Sequence, residues 1–321
     1  MDEKENDLSF IMVNHADCRP CGTLFKHIKC LDNNGLNFNF CYGTNEFGKS
    51  NQIKTNKITR LNPCGITTSN SSLIISDNQL GVVNIYSIDD FINSFTLPYK
   101  VLFKHSFPSV TDVSMHEETF FVTDHLSKKV HICSKVGVEH FLNSEIFLPQ
   151  SLELSGICVT NNKQIIVSDS KACNITVCEQ NGDVLHTFGG TDKLDYPQFL
   201  CWSSRSERIF VADTCSSKVH VFNIYGQHDF SFGSHIMNNG CFLNPSGIDV
   251  DDTGRIFVAD ETLNNVQVFD KDGNLIDNFG ESGFKCGHFY SPKGLSVCNG
   301  KIYIADSLNY RVQVFEEKFN H

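Results

Sequence analysis

Six times along the chain a short apolar strand ends in Asp and a second apolar strand begins six residues later. The aspartates are Asp77, Asp124, Asp169, Asp213, Asp260 and Asp306, at intervals of 47, 45, 44, 47 and 46 residues. At +6 stand Val83, Val130, Ile175, Val219, Val266 and Val312, and at +8 Ile85, Ile132, Val177, Val221, Val268 and Val314. Position +9 is Tyr86, Cys133, Cys178, Phe222, Phe269 and Phe315. A period of about 40–50 residues with several short strands per unit marks a propeller or solenoid array. Such an array overrides the two domains that a length of 321 residues would otherwise suggest.

Residues 244–280, NPSGIDVDDTGRIFVADETLNNVQVFDKDGNLIDNFG, show the unit most clearly. Gly247 to Val250 alternates and is short, as suits an inner strand, and Asp251 to Gly254 is a turn. Ile256 to Ala259 and Val266 to Phe269 follow as second and third strands, and Asp272-Gly273 signals a hairpin into an outermost strand, Leu275 to Phe279. Four antiparallel strands in one period make a blade. The expected fold is therefore all-β, a six-bladed β-propeller of four-stranded antiparallel blades. A carboxylate at a strand end accepts backbone N–H bonds from the following loop, so the repeated Asp is expected to be scaffold.

The last repeat runs out after its third strand at Phe315, which would leave an open edge. Leu36 to Tyr42 (LNFNFCY) resembles the outer-strand endings HTFGG, FSFGS and DNFGE. Residues 36–42 are therefore expected to close the ring beside Val312 to Phe315. Residues 1–35 form an N-terminal segment with room for extra strand pairing, and the propeller runs over 36–321.

Composition narrows the setting. Apolar residues make up 40% of the chain, including 27 Phe, and 20% are charged, so a large core is available and no stretch reads as a charged disordered polymer. The start MDEKEN has no secretory pattern and no apolar run reaches membrane-spanning length. A cytoplasmic protein without membrane contact is expected, its 14 Cys reduced and partly used as small core residues.

The phrases RIFVADETLNNVQVFDKDG and KIYIADSLNYRVQVF, preceded by NPSGIDV and SPKGLSV, resemble NHL repeats. The chain lacks the Gly-His and Trp-Asp pairs of WD repeats and has a single Trp, Trp202. Among NHL proteins the spacing is most similar to the propeller of TRIM-NHL proteins, here without RING, B-box or coiled-coil segments ahead of it. That resemblance implies a non-enzymatic recognition module: a protein-binding adaptor linked to ubiquitination, or an RNA-binding post-transcriptional regulator.

In the resembling family RNA is read by side chains from the loops after each Asp. The matching positions are Lys128, Lys129, Asn174, Lys218, Asn264, Asn265, Asn309, Tyr310 and Arg311. The family's Arg at +5 is kept as Arg311, replaced by Lys129 and Lys218, and lost at Val82, Asn174 and Asn265. The alternative is that all these are solvated loop residues, with Arg311 pairing locally with Asp306. By the strand boundaries above, the loops on the Asp side carry 13 Lys/Arg against 7 Asp/Glu, while the whole chain is −11. One mildly basic face on an acidic body follows, with the six anchor Asp offsetting that excess if they face outward. Because nucleic-acid affinity rests on phosphate neutralisation, a protein partner is ranked ahead of RNA.

Two other chemistries have weaker signals. His15, Cys18, Cys21, His27 and Cys30 have spacings that suit a zinc site, but they fall where an extended backbone would have to converge. A metal-dependent lyase or hydrolase would need inward ligands along a central channel. The first strands offer Asp112, Asp249 and His116, with Asp249 readable as a solvated acid beside a turn. No catalytic motif, cofactor loop or small-molecule substrate signature appears.

Overall fold

The computed structural model describes residues 25–31, 62–88, 107–136, 139–235 and 240–317. The chain begins with β1 (Phe25–Leu31), then β2 (Pro63–Thr68), β3 (Ser72–Asp77) and β4 (Val82–Ser87), the last three forming one sheet. The second sheet contains β5 (Val110–His116), β6 (Thr119–Asp124), β7 (Lys129–Val136) and β8 (Glu139–Phe147). The third contains β9 (Leu154–Val159), β10 (Ile165–Asp169), β11 (Asn174–Cys178) and β12 (Val184–Gly189). The fourth has β13 (Pro197–Ser203), β14 (Arg208–Asp213), β15 (Lys218–Asn223) and β16 (His228–Phe232). The fifth has β17 (Pro245–Val250), β18 (Ile256–Asp260), β19 (Asn265–Phe269) and β20 (Leu275–Phe279). The sixth joins β21 (Pro292–Cys298), β22 (Lys301–Asp306) and β23 (Arg311–Glu317) to β1. All pairings are antiparallel, and the whole is a six-bladed β-propeller.

Each repeated Asp ends the second strand of its blade and is almost wholly buried. In Asp77, Asp124, Asp169 and Asp260 the carboxylate accepts N–H groups from two directions. In the fifth blade Oδ1 of Asp260 accepts from Thr262 (2.9 Å) and Leu263 (2.8 Å) in the following turn. Its Oδ2 accepts from Leu243 (2.7 Å) and Asn244 (3.1 Å), in the linker entering the blade. Asp77 and Asp169 repeat this double use with Asn62, Gln79 and Leu80, and with Leu152, Glu153 and Ala172. The expected turn clamp is present, and its second half, the hold on the preceding linker, adds the joint between blades.

Neighbouring blades are also tied by one buried hydroxyl per joint. Thr123 Oγ1 donates to Ser155 O (2.7 Å), Ser168 Oγ to Gln198 O, Thr214 Oγ1 to Pro245 O (2.9 Å) and Ser246 Oγ to Pro292 O (3.0 Å). Ser76 Oγ reaches Thr111 O (3.4 Å) at the first joint, and Ser307 Oγ reaches Pro63 O where the last blade meets the first. The inner strands approach so closely there that a Cβ on Gly294 would lie 2.3 Å from Cys64 O. Between sheets the +9 aromatics form the core: Phe315 packs on Phe279 at 4.8 Å and on Phe289 at 5.5 Å, all nearly inaccessible.

The edge beside β23 is taken by residues upstream of the expected ones. His27 pairs with Phe315 and Leu31 with Val312 in β1, while Leu36 to Tyr42 lies outside the described residues. The sequence FKHIKCL mixes Lys26 and Lys29 among apolar residues and lacks the likeness to the other outer-strand endings that favoured 36–42. The boundary at 35/36 also lies outside the described residues.

Replacing an anchor removes an acceptor from several buried N–H groups at once. We expect Asp260→Ala to lower unfolding free energy by about 3 kcal/mol. Chemical denaturation of this variant against Asp277→Ala on the outer strand measures it.

Candidate functional site

The clamped linkers and turns place all the loops after the anchor Asp on one face. Because the six carboxylates point inward, they do not cancel the charge of that face as an outward orientation would have done. Of its 13 basic residues, Lys49, Lys54, Lys57, Arg60, Lys100 and Lys104 lie outside the described residues. Those remaining are nearly balanced by acids.

The expected contact residues occupy different environments. Lys218 is exposed, and Lys128 is half-buried in a left-handed turn position (φ 55°). Lys129 is ion-paired with Glu145 at 2.5 Å. Asn174 opens β11 half-buried, opposite Asp169. Asn264 bridges blades by accepting Ser291 N at 2.8 Å, and Asn265 is half-buried at the start of β19. Asn309 donates to Gly283 O (2.8 Å) and to Asp306 Oδ2 (2.9 Å), and Tyr310 beside it takes φ 56°.

Arg311 is only 4% exposed. Its Nε donates to Asp306 Oδ2 at 2.6 Å, and its two terminal nitrogens donate to the carbonyls of Phe284 (2.9 Å), Lys285 (2.8 Å) and His288 (2.7 Å). A planar guanidinium with five fixed donors suits this task, satisfying one carboxylate and three carbonyls together. Gln313 two residues on adds bonds to Asp306 Oδ2 (2.9 Å) and His288 O (2.7 Å). Arg311 thus shapes a loop, with its charge directed into the fold.

Sequence reasoning did not single out the apolar side chains of this face. Leu126 and Leu308 stand in the turns after Asp124 and Asp306, Leu152, Phe284 and Tyr290 in linkers, and Phe147 at the end of β8 opposite Lys129. All are exposed, Phe284 most of the six at 76%. Leu126 and Leu308 occupy the second position after the anchor, where Gln79, Lys171 and Thr262 stand in other blades, and that departure was the available signal for those two.

The inner strands enclose a central cavity of about 190 Å³. One position of each strand forms a polar ring: Thr67, Ser114, Cys158, Cys201, Asp249 and Ser296. Asp249 lines the cavity, so the solvated-acid reading of it is corrected. Its Oδ2 accepts Val297 N from the next blade at 2.8 Å, and its Oδ1 accepts Val250 N at 2.8 Å. Asp112 does the same between β5 and β9, with Ile157 N at 3.0 Å and Val113 N at 2.8 Å. Burial pushes Asp112 up to about 7 and Asp249 up to about 6, partly opposed by those N–H bonds. Burial also holds the Cys158 and Cys201 thiols well above their ordinary range. His116 does not line the cavity. Among the described residues no group of three or more His, Cys, Asp or Glu is arranged to hold a metal ion. His27 and Cys30 lie in β1, while His15, Cys18 and Cys21 are outside the described residues.

Comparison with known proteins agrees with this architecture. An NHL repeat model matches residues 242–269 and 289–315, the last two units. No curated protein sequence matches the chain significantly. A streptogramin B lyase is similar in structure with TM-score 0.61 and 14% identity, over 81% of this chain and 94% of that one. A virginiamycin B lyase from Staphylococcus aureus, solved with quinupristin, gives TM-score 0.57 and 15% identity over 80% and 95%. An auxiliary nutrient binding protein from Bacteroides thetaiotaomicron gives 0.61 and 8% over 82% and 71%. At these identities the likeness concerns the fold. The protein is a six-bladed propeller whose last two units match NHL repeats, and no described helix is long and apolar enough to cross a membrane.

Two outcomes follow. Removing the hub with Arg311→Ala takes the cation from buried Asp306 and the side-chain donors from the carbonyls of Phe284 and Lys285, so we expect a loss of about 3–5 kcal/mol, with hydrogen exchange faster across 281–291 than in other linkers. Asp112 and Asp249 are raised above the ordinary 3.8, so the folded chain holds protons that the unfolded chain releases between pH 4 and 7. Their stabilising contribution is complete below about pH 4 and is lost as pH rises through the folded values. The difference between wild type and Asp112→Asn in denaturant titrations should change by roughly 3–4 kcal/mol over that window, and a constant difference would refute the assignment.

Proposed function

We propose that this propeller is a non-enzymatic recognition module that binds a partner protein through its Asp-anchored face. The observation that carries this reading is the make-up of the face: exposed Leu126, Phe147, Leu152, Phe284, Tyr290 and Leu308 stand there, while Lys129 is paired and Arg311 is buried. Exposed apolar and aromatic groups on fixed loops are what protein interfaces use as anchors. Phosphate recognition needs free basic groups, which the described part of this face has in near balance with acids.

A lyase role like that named for the structural neighbours has less support. Among the described residues no histidine lines the cavity, and its two carboxylates are each committed to two backbone N–H groups. The resemblance extends the reading to an adaptor linked to ubiquitination, which a comparison of ubiquitin conjugates with and without the protein would test.

Crosslinking and capture from cells with and without RNase separates the readings. We expect protein partners that survive RNase, with binding unchanged in Lys128→Glu plus Lys218→Glu. RNase-sensitive capture, weakened by that double variant and by added salt, would replace this reading with RNA recognition.

A further inference from the structure

The linker between β20 and β21, residues 280–291, is built as a rigid platform. Gly283 N donates to Phe289 O (3.0 Å), Phe289 N to Glu281 O (2.9 Å) and His288 N to Lys285 O (3.0 Å). Arg311, Gln313 and Asn309 bind four more of its groups, including Gly287 N, which donates to Gln313 Oε1 at 2.9 Å. Phe289 fills the core from this loop and is fully buried.

Phe284 therefore is not needed to hold the loop, yet it is 76% exposed. Its ring lies 5.7 Å from that of Tyr290, itself 43% exposed, and Leu308, 45% exposed, donates its N–H to Tyr290 O at 3.1 Å. The Phe284 and Tyr290 rings are paired at the surface and the backbone bond places Leu308 next to Tyr290, so these exposed residues form a ledge. Next to it Lys285 is exposed and has no ion-pair partner among the described residues. Of the acids nearby, Glu281 lies 3.4 Å from His288, and Glu261 accepts from Ser291 Oγ at 3.2 Å.

We propose that this ledge is the docking point for a segment of a partner protein that presents a bulky apolar side chain close to an acidic one. The apolar group covers Phe284, Tyr290 and Leu308, and the carboxylate meets the Lys285 ammonium. The loop is ordered before binding, so little entropy is lost on ordering it, and aromatic anchors with two torsions each lose little themselves. The rim charge adds specificity for acidic segments more than affinity. This inference rests on the protein-recognition reading and narrows it to one loop and one partner chemistry.

The test is selection of displayed random 12-residue peptides on the full chain. Enriched sequences should pair Leu, Ile, Phe or Trp with Asp or Glu. Their affinity should fall at least tenfold on Phe284→Ala plus Tyr290→Ala, and about fivefold on Lys285→Glu. Exchanging the peptide's acid for Lys should recover the Lys285→Glu loss. Melting curves of the variants, whose substituted side chains are exposed, check that the fold is intact. Peptides without acidic bias, or affinities indifferent to these variants, would overturn the proposal. So would concentration-dependent dimerisation in light scattering that the double variant abolishes, since the occupant would then be a second copy. If cellular protein partners persist undiminished with the double variant, this site fails while protein recognition stands; if capture is wholly RNase-sensitive, both fail.

Discussion

The buried aspartate that ends the second strand of every blade is the interaction on which the rest of the molecule depends. A carboxylate removed from water is stable only if its lone pairs are met, and here main-chain N–H groups of the incoming linker meet them in every blade, joined in four blades by N–H groups of the following turn and in the sixth by side chains. Asp260 alone fixes both with bonds of 2.7–3.1 Å. One residue per blade thus determines where a strand pair turns and where the next sheet starts. The loops that carry recognition inherit their positions from it, because every one is pinned at its base.

In the sixth blade this scaffold and the recognition surface merge. Asp306 receives Tyr290 N at 2.7 Å and the Arg311 guanidinium at 2.6 Å, and Arg311 in turn holds the carbonyls that set the 280–291 loop. A carboxylate inside the fold therefore fixes the attitude of an aromatic pair on its surface. The same economy appears in the central cavity, where Asp112 and Asp249 tie adjacent inner strands while keeping a proton affinity close to neutrality.

Much of the fold was legible because it repeats. A period near 46 residues, the Asp at its end and alternating Val/Ile positions require only local chemistry to interpret, and Leu275–Phe279 was placed to the residue. What did not repeat was harder. β1 belongs to a blade whose other strands lie at the far end of the chain, and a short strand of mixed polarity carries no label for a distant partner. Pairing of Arg311 with Asp306 five residues away was legible, but its burial was not, because its carbonyl partners come from a linker 23–27 residues earlier, a proximity that only tertiary structure creates. Phe284 was invisible for a different reason: 27 Phe share this chain, and nothing local distinguishes exposed ones such as Phe284 and Phe147 from those in the core.

The sixth blade joins residues about 280 positions apart, since Leu31 lies against Val312. A ribosome finishes β1 long before β23 exists, so five sheets have time to form while the outermost strand of the sixth has nothing to pair with. The ring consequently shuts last, in a step of very long loop closure that is entropically slow. Phe25 and Glu317 are opposite one another in that sheet, so polypeptide entering and leaving the ring does so from a single point on its rim, as in a bead hung from both ends of one thread.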